Sequence, residues 1–339
     1  AFMFQGKACE ALGSPFMGQL CRLLATRDWP DTQLRQRYFT WDGDIGPGAQ
    51  SLPLRLAGGL HALVLKGDAL GESYPPHAVD DDSLWRAVKD AMHRADTGLN
   101  IWVNSPPQTN EVRRAAVLIA VGHVLAHRHD LPIRLSELGA SGGLNLMWDT
   151  YGLDIEGRRY GPPGATVVLT PAWTGPPPPA ASPVVTVRRG VDLNPLNPKL
   201  LQDARRLRAY LWPDQPDRLK LTEAAIAGFN AAVDQGDAID WLAGRLACEP
   251  GTTHLIYHTI AWQYFPADVQ ARGKAMIAAA GAKATPQTPL AWFGMEPDGQ
   301  GPGAAMVLRL WPENLTLDLG RVDFHGRWVQ WRGNGSVRA

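Results

Sequence analysis

The chain has 339 residues, 33 Lys and Arg against 33 Asp and Glu, and so a formal charge of zero at pH 7. A neutral chain lacks the cationic field that binds polyanions or anionic lipid, which argues against nucleic acid and membrane surfaces as main partners. At about 150 residues per domain the length predicts two domains, and 45% hydrophobic residues allow a sizeable core. Cys9, Cys21 and Cys248 are odd in number and lack C-x-x-C spacing, so neither a disulfide framework nor a structural zinc cluster is expected. A reducing, cytoplasmic location follows, with no apolar run of membrane-spanning length and no signal-peptide pattern at AFMFQGKACEALGS.

Residues 1–130 read as a mainly helical region. Ala8, Leu12, Phe16, Leu20 and Leu23 recur at helical spacing, and Gly13-Ser14-Pro15 divides that segment in two, with Ser14 as cap and Pro15 at the first helical position. The run Asp80-Asp81-Asp82-Ser83 caps a helix over Leu84 to Arg94. A further helix is expected from near Asn110, with Glu111 at its positive end.

From 131 to 339 the texture changes to strand-helix alternation, the pattern of a mostly parallel sheet. PIRLSEL, VVTVRRGVDL, THLIYHTI, PLAWFGMEP and AAMVLRLW are the expected strands. Helices are expected over Pro198 to Tyr210, Arg218 to Leu246 and Ala267 to Ala280. LTLDLGRVDFHGRWVQW reads as antiparallel strands turning at His325-Gly326. The Gly- and Pro-rich stretch 157–183 reads as a non-helical insertion.

The most informative segment is Glu137-Leu-Gly139-Ala-Ser141-Gly142-Gly143-Leu-Asn145, between an expected strand and an expected helix. Glycines there allow a sharp turn and close approach of backbone to a ligand, and a helix N-terminus would offer N–H groups. Two readings compete. The segment resembles the first motif of Rossmann-like S-adenosylmethionine methyltransferases, in which Glu137 would help hold the methionine end. Asp192, ending the next strand, would then accept from the ribose hydroxyls. The same residues satisfy G-x-S-x-G, a hydrolase nucleophile elbow with Ser141, Asp192 or Glu296, and His325 in chain order.

Across the chain, GSPFMGQL, SPPQTNE, ELGASGGLNL with Asp149 and Tyr151, GVDLNPLN, LRAYLWPDQPDR, HTIAWQYFP, PLAWFGMEP and HGRWVQW resemble an uncharacterised bacterial family, domain of unknown function 2332. The resemblance implies a methyltransferase-like Rossmann domain after the helical region, with S-adenosylmethionine bound through Glu137, Gly139, Ser141, Gly142, Gly143, Asn145 and Asp192. Arg134 and Ser136 depart from an apolar first strand, and Ser141 stands where a glycine is usual. In such enzymes HLIYHTIAWQYFP would be the fourth strand and its following loop. His258 and Tyr264 are then candidates to orient or deprotonate the acceptor, and Gln263 and Glu296 to contact it.

Gln108 and Arg113 are candidate substrate contacts from the helical region. His123, His127 and His129 lack H-E-x-x-H spacing and an acidic third ligand, so no metal is expected. The 13 Trp scatter along the chain and read as packing at element ends. The expectation is methyl transfer to a small molecule. The alternatives are a Ser141 hydrolase and a non-catalytic ligand-binding protein. The sequence assigns no oligomeric state.

Overall fold

The computed structural model describes residues 1–47 and 49–337, and the side chains of these as far as residue 333. The chain forms two compact units, residues 1–109 with 198–220 and residues 110–197 with 221–339.

The first unit is helical: α1 (Phe2–Ala11), α2 (Pro15–Thr26), α3 (Gln33–Phe39), α4 (Leu52–Val64), α5 (Asp81–Arg94) and α6 (Asp96–Trp102). Ser14 caps α2 as the sequence predicts, its hydroxyl accepting from Met17 N–H at 3.3 Å with Pro15 next in line. Asp80 caps α5 in the same way through Ser83 N–H. Leu20, Leu34, Leu56, Leu60 and Leu84 form the core, joined by Trp212 from the returning segment.

The second unit opens with α7 (Ala115–His129), which is buried from Ala115 to Leu125. A helix that is apolar on every side needs cover all round, and α7 finds it in the core that also holds Leu135, Tyr257 and Phe293 of the sheet. That packing sets the division of the chain at 109/110 and not near 130. The expected start of this helix at Asn110 also shifts. Glu111 caps a short 3-10 turn over Val112–Arg114, while Asn110 Oδ1 accepts from Leu144 N–H at 2.7 Å. Asn110→Ala should strand that buried donor and cost about 1–3 kcal/mol of unfolding free energy, measurable by denaturant titration, whereas a simple helix cap would cost about 1.

β1 (Ile133–Leu138) leads into a 3-10 helix over Leu144–Thr150, followed by β2 (Gly152–Ile155), β3 (Arg158–Tyr160), β4 (Val168–Leu169), β5 (Ala172–Thr174) and β6 (Val185–Asp192). The stretch 157–183 is non-helical, and it is partly sheet: β3 and β4 flank β2, and β5 pairs in parallel with the last strand. α8 (Leu201–Ala209) belongs to the helical unit, and α9 (Pro216–Ala227) runs from one unit into the other. The long helix expected over 218–246 is interrupted. Gly228 and Gly236 bracket β7 (Ala232–Gln235), whose pairing with β6 overrides helix propensity, and α10 (Ala238–Ala243) follows. The chain then forms β8 (Thr253–Thr259), α11 (Ala267–Gly281), β9 (Leu290–Glu296), β10 (Ala304–Trp311), β11 (Leu315–Val322) and β12 (Trp328–Val337).

These strands build a nine-stranded sheet in the order β5-β12-β11-β10-β9-β8-β1-β6-β7. β7, β6, β1, β8 and β9 are parallel, and β9 to β12 continue as an antiparallel meander. The fold is therefore α/β, with a large, mostly parallel sheet and a helical N-terminal region. The direction of winding reverses between β1 and β8, the place where open α/β sheets form a crevice. The polar residues of β1 are satisfied within the sheet's own surroundings: Ser136 Oγ lies 2.8 Å from His254 Nε2 and accepts from Arg245 Nε, and Arg134 pairs with Glu249. No helix among the described residues is long and apolar enough to cross a membrane.

Candidate functional site

The turn after β1 is where sequence reasoning puts the cofactor, and most of its amides are already committed. Gly139 and Ala140 N–H both donate to Val191 O (3.0 and 2.9 Å), Ser141 N–H to Asp192 Oδ2 (2.9 Å), Gly143 N–H to Ala140 O (2.7 Å) and Leu144 N–H to Asn110 Oδ1. Gly139 has φ +72°, and a Cβ placed on it would lie 2.5 Å from Ala261 Cβ, so the space over the glycine is filled by the chain itself. A 3-10 helix of seven residues follows where the sequence predicts an α-helix, and it offers no extended macrodipole.

Glu137 is 2% exposed. Burial pushes its carboxyl up to about 8, against the hydrogen bond from Tyr257 OH at 3.3 Å, so it is largely uncharged at neutral pH. Asn145 donates from Nδ2 to Glu111 O and accepts Tyr257 OH on its backbone oxygen. Asp192 accepts the amides of Ser141 and Asn194. Glu137, Gly139, Ser141, Asn145 and Asp192 thus gather at one place, with Asp192 bonded to Ser141, Glu137 to Tyr257 and Asn145 to Glu111 and Tyr257, and with the space over Gly139 filled. As folded, this turn does not fit S-adenosylmethionine.

The hydrolase constellation is not assembled in the expected pairs. Ser141 sits at φ +53° and is buried, Asp192 serves backbone amides, and Glu296 bonds to His258 and not to His325. His325 lies in the β11–β12 turn, where Asp323 accepts its amide and the Arg327 guanidinium.

The remaining candidates separate. Gln108 belongs to the helical unit, while Arg113 in the sheet unit donates to Glu111 Oε1 at 3.1 Å. Gln263 and Tyr264 follow β8 and face solvent, Tyr264 at 67% exposure. His123 packs edge-on against Tyr160 (4.9 Å), and burial lowers its pKa. Among the described residues no three His, Cys, Asp or Glu gather as metal ligands.

His258 and Glu296 do come together. β8 and β9 run in parallel register, and their even-numbered side chains face α10 and α11, opposite to Glu137 and Tyr257. His258 Nδ1 is 2.7 Å from Glu296 Oε1, which also accepts Ala261 N–H and Trp262 N–H at 2.9 Å each. Burial raises the Glu296 carboxyl, and the His258 bond with the two amides outweighs it, so the group is held below its ordinary value. The Trp262 ring stacks on the imidazole, with centroids 4.9 Å apart at 25°. The residue is 3% exposed, and Nε2 has no hydrogen-bond partner among the described residues.

The pair opens into a cleft of about 530 Å³ whose floor is four strands wide. His258 on β8 lies beside Gly294 on β9, Gly294 beside Val307 on β10, Glu296 beside Ala305, and Trp292 beside Arg309, which is paired with Thr316 on β11. Trp262, Lys274 of α11, Pro297 and Asp298 form the walls. Gly294 is required here, because a Cβ would stand 2.9 Å from His258 Cε1. The sequence reading singled out His258 and Glu296 but missed Trp292, Gly294, Lys274 and Arg309. Period-2 alternation along PLAWFGMEP and AAMVLRLW carries the signal, since Trp292, Gly294 and Glu296 share one face with Val307 and Arg309.

Residues 1–331 match the model of a family described as an uncharacterized protein conserved in bacteria (DUF2332). The chain belongs to that family. The match takes in both units of this DUF2332 chain, including the His258–Glu296 pair and nearly all of the sheet. No curated protein and no solved structure matches it.

Proposed function

We propose that this DUF2332 chain is an enzyme that moves a proton on a small molecule bound in the His258–Glu296 cleft. The observation that carries the reading is His258 Nε2: it is buried, without a protein partner, and belongs to a residue lining a cleft of ligand size. With Nδ1–H donated to Glu296, the neutral imidazole presents Nε2 as an acceptor. A proton taken there makes an imidazolium, which the Glu296 carboxylate stabilises from behind and the Trp262 face from the side. Nε2 itself is covered in this structure, so a general-base role requires the cleft lining to shift and bring a reacting group within hydrogen-bond reach.

Methyl transfer from S-adenosylmethionine, the reaction expected from sequence, draws support from the carboxylates at the ends of β1 and β6. Against it stand the committed amides, the filled space over Gly139 and the placement of Glu137 on the other sheet face from His258. The test is incubation of the full chain in D₂O with a bacterial metabolite extract, read by mass spectrometry for solvent deuterium incorporation or any other mass change, with and without added S-adenosylmethionine. A compound should change with wild type and not with His258→Ala, independently of the added cofactor. No wild-type-specific change, or an equal change with the variant, contradicts the proposal. A change that needs added S-adenosylmethionine contradicts the fit argument and restores methyl transfer.

A further inference from the structure

The charges of the cleft say more about its ligand, on the premise that the cleft is the site just proposed. It holds two acids and two bases besides His258. Both acids are occupied: Glu296 by His258 and two amides, Asp298 by the Arg321 guanidinium at 2.9 and 3.1 Å. Neither base has a carboxylate partner among the described residues. Lys274 is exposed on α11 and in no ion pair, and Arg309 lies with its guanidinium 5.2 Å from the Trp292 ring centroid, with its N–H edges unclaimed by any acid. The cleft therefore carries two positive charges that no carboxylate among the described residues offsets, Arg309 on the floor and Lys274 on a wall.

Three more polar atoms, all buried and all on lining residues, have no hydrogen-bond partner: His258 Nε2, Glu296 Oε2 and Trp292 Nε1. The first two are acceptors under the tautomer fixed by Glu296, and the third is a donor. Three such atoms on residues that line one cleft match the complement of a ligand. That ligand has a hydroxyl or amine N–H for His258 and Glu296, an acceptor for Trp292, and an anion for the two bases.

We infer that the cleft takes an anionic small molecule, a carboxylate or a phosphate ester, that also carries a hydroxyl or amino group. Lys274 and Arg309 hold the anion, which draws the donor group onto His258 Nε2 and Glu296 Oε2. Arg309 suits either anion through its two-pronged donor geometry, and Lys274 acts as a point charge. Trp262 and Trp292 suit a flat or apolar body between the two ends. The neutral overall charge of the chain is compatible with this, because the attraction is confined to one cleft and does not need a field over the whole surface.

The experiment is a titration of the full chain, followed by the side-chain resonances of His258, with 4-hydroxybenzoate, 4-hydroxyphenyl phosphate, neutral 4-hydroxybenzyl alcohol and cationic tyramine. The anionic probes should bind at least about tenfold more tightly than the alcohol, lose about that factor in the Lys274→Gln, Arg309→Gln double variant, and weaken as salt is raised. The stronger of the two anionic arms tells carboxylate from phosphate. Equal binding of anion and alcohol, or anion binding unchanged in the double variant, overturns the anion assignment while leaving the cleft a site. Shifts of His258 with tyramine alone do the same. If no probe shifts His258, the anion assignment fails together with the functional reading on which it rests.

Discussion

Glu296→Gln is expected to lower turnover by about 10²–10⁴-fold, some 3–5 kcal/mol of barrier, while leaving the fold in place. The reason lies in charge. Glu296 Oε1 accepts from three N–H groups, those of His258 Nδ1, Ala261 and Trp262. A glutamine oxygen at the same place can take all three, so the tautomer of His258 is kept, and the NH₂ falls where Oε2 stood. What is lost is the negative charge that stabilises the imidazolium formed when Nε2 takes a proton. Glu296→Asp keeps the charge but shortens the reach, so it should retain more activity than the glutamine variant. The check is kcat for any compound turned over by the wild type, measured on all three proteins. A Glu296→Gln enzyme with wild-type kcat would remove His258 from the chemistry.

The second large effect concerns Glu137 and has the opposite sign. Its carboxyl is pushed from an ordinary value near 4.5 up to about 8, chiefly by burial. Between those values the folded chain holds a proton that the unfolded chain has released. The stabilising contribution is complete below about 4.5, declines as pH rises through the window, and is gone above about 8. Glu137→Gln keeps size and shape, leaves an oxygen for the Tyr257 hydroxyl, and never ionises. It should match wild type near pH 4.5 and exceed it at pH 8.5 by on the order of 3 kcal/mol. Hydrogen exchange of β1 and β8 amides as a function of pH locates the effect in the sheet unit. A wild-type profile flat from pH 5 to 8 would show an ionised, solvated Glu137, the form expected of a cofactor-holding acid.

Much of the architecture was legible because it is written in local rules. Ser14-Pro15 and Asp80 announce helix starts, the β-prone runs after Pro132 are all strands, and His325-Gly326 is the turn between β11 and β12. The misreadings have a common cause in tertiary pairing. Ala232–Gln235 has weak strand propensity and becomes β7 only because the edge of β6 is available. Asn110 looks like a cap until Leu144, thirty-four residues on, claims its side chain.

The site was legible in half. ELGASGGLNL has the glycines and carboxylate of a cofactor turn, but no sequence shows that Ala261 fills the space over Gly139 or that the amides of Gly139, Ala140, Ser141 and Gly143 have internal acceptors. His258 and Glu296 were found as strand-end residues. That they form a pair depends on the register of β8 against β9, and that Glu137 faces the other way depends on one residue of alternation between Tyr257 and His258. Lys274 and Arg309 belong to a helix and an antiparallel strand distant in sequence, so nothing local marks them as one binding surface.

The central claim is that His258 keeps Nε2 free as an acceptor because Glu296 accepts the hydrogen bond from Nδ1–H. Long-range nitrogen-proton spectra of the histidine side chains, with His258 assigned by its loss in His258→Ala, read this directly. The account predicts an Nδ1-protonated tautomer in the wild type near pH 8, with Nε2 unprotonated. A wild-type His258 protonated on Nε2 would make that nitrogen a donor and contradict its role as the proton acceptor.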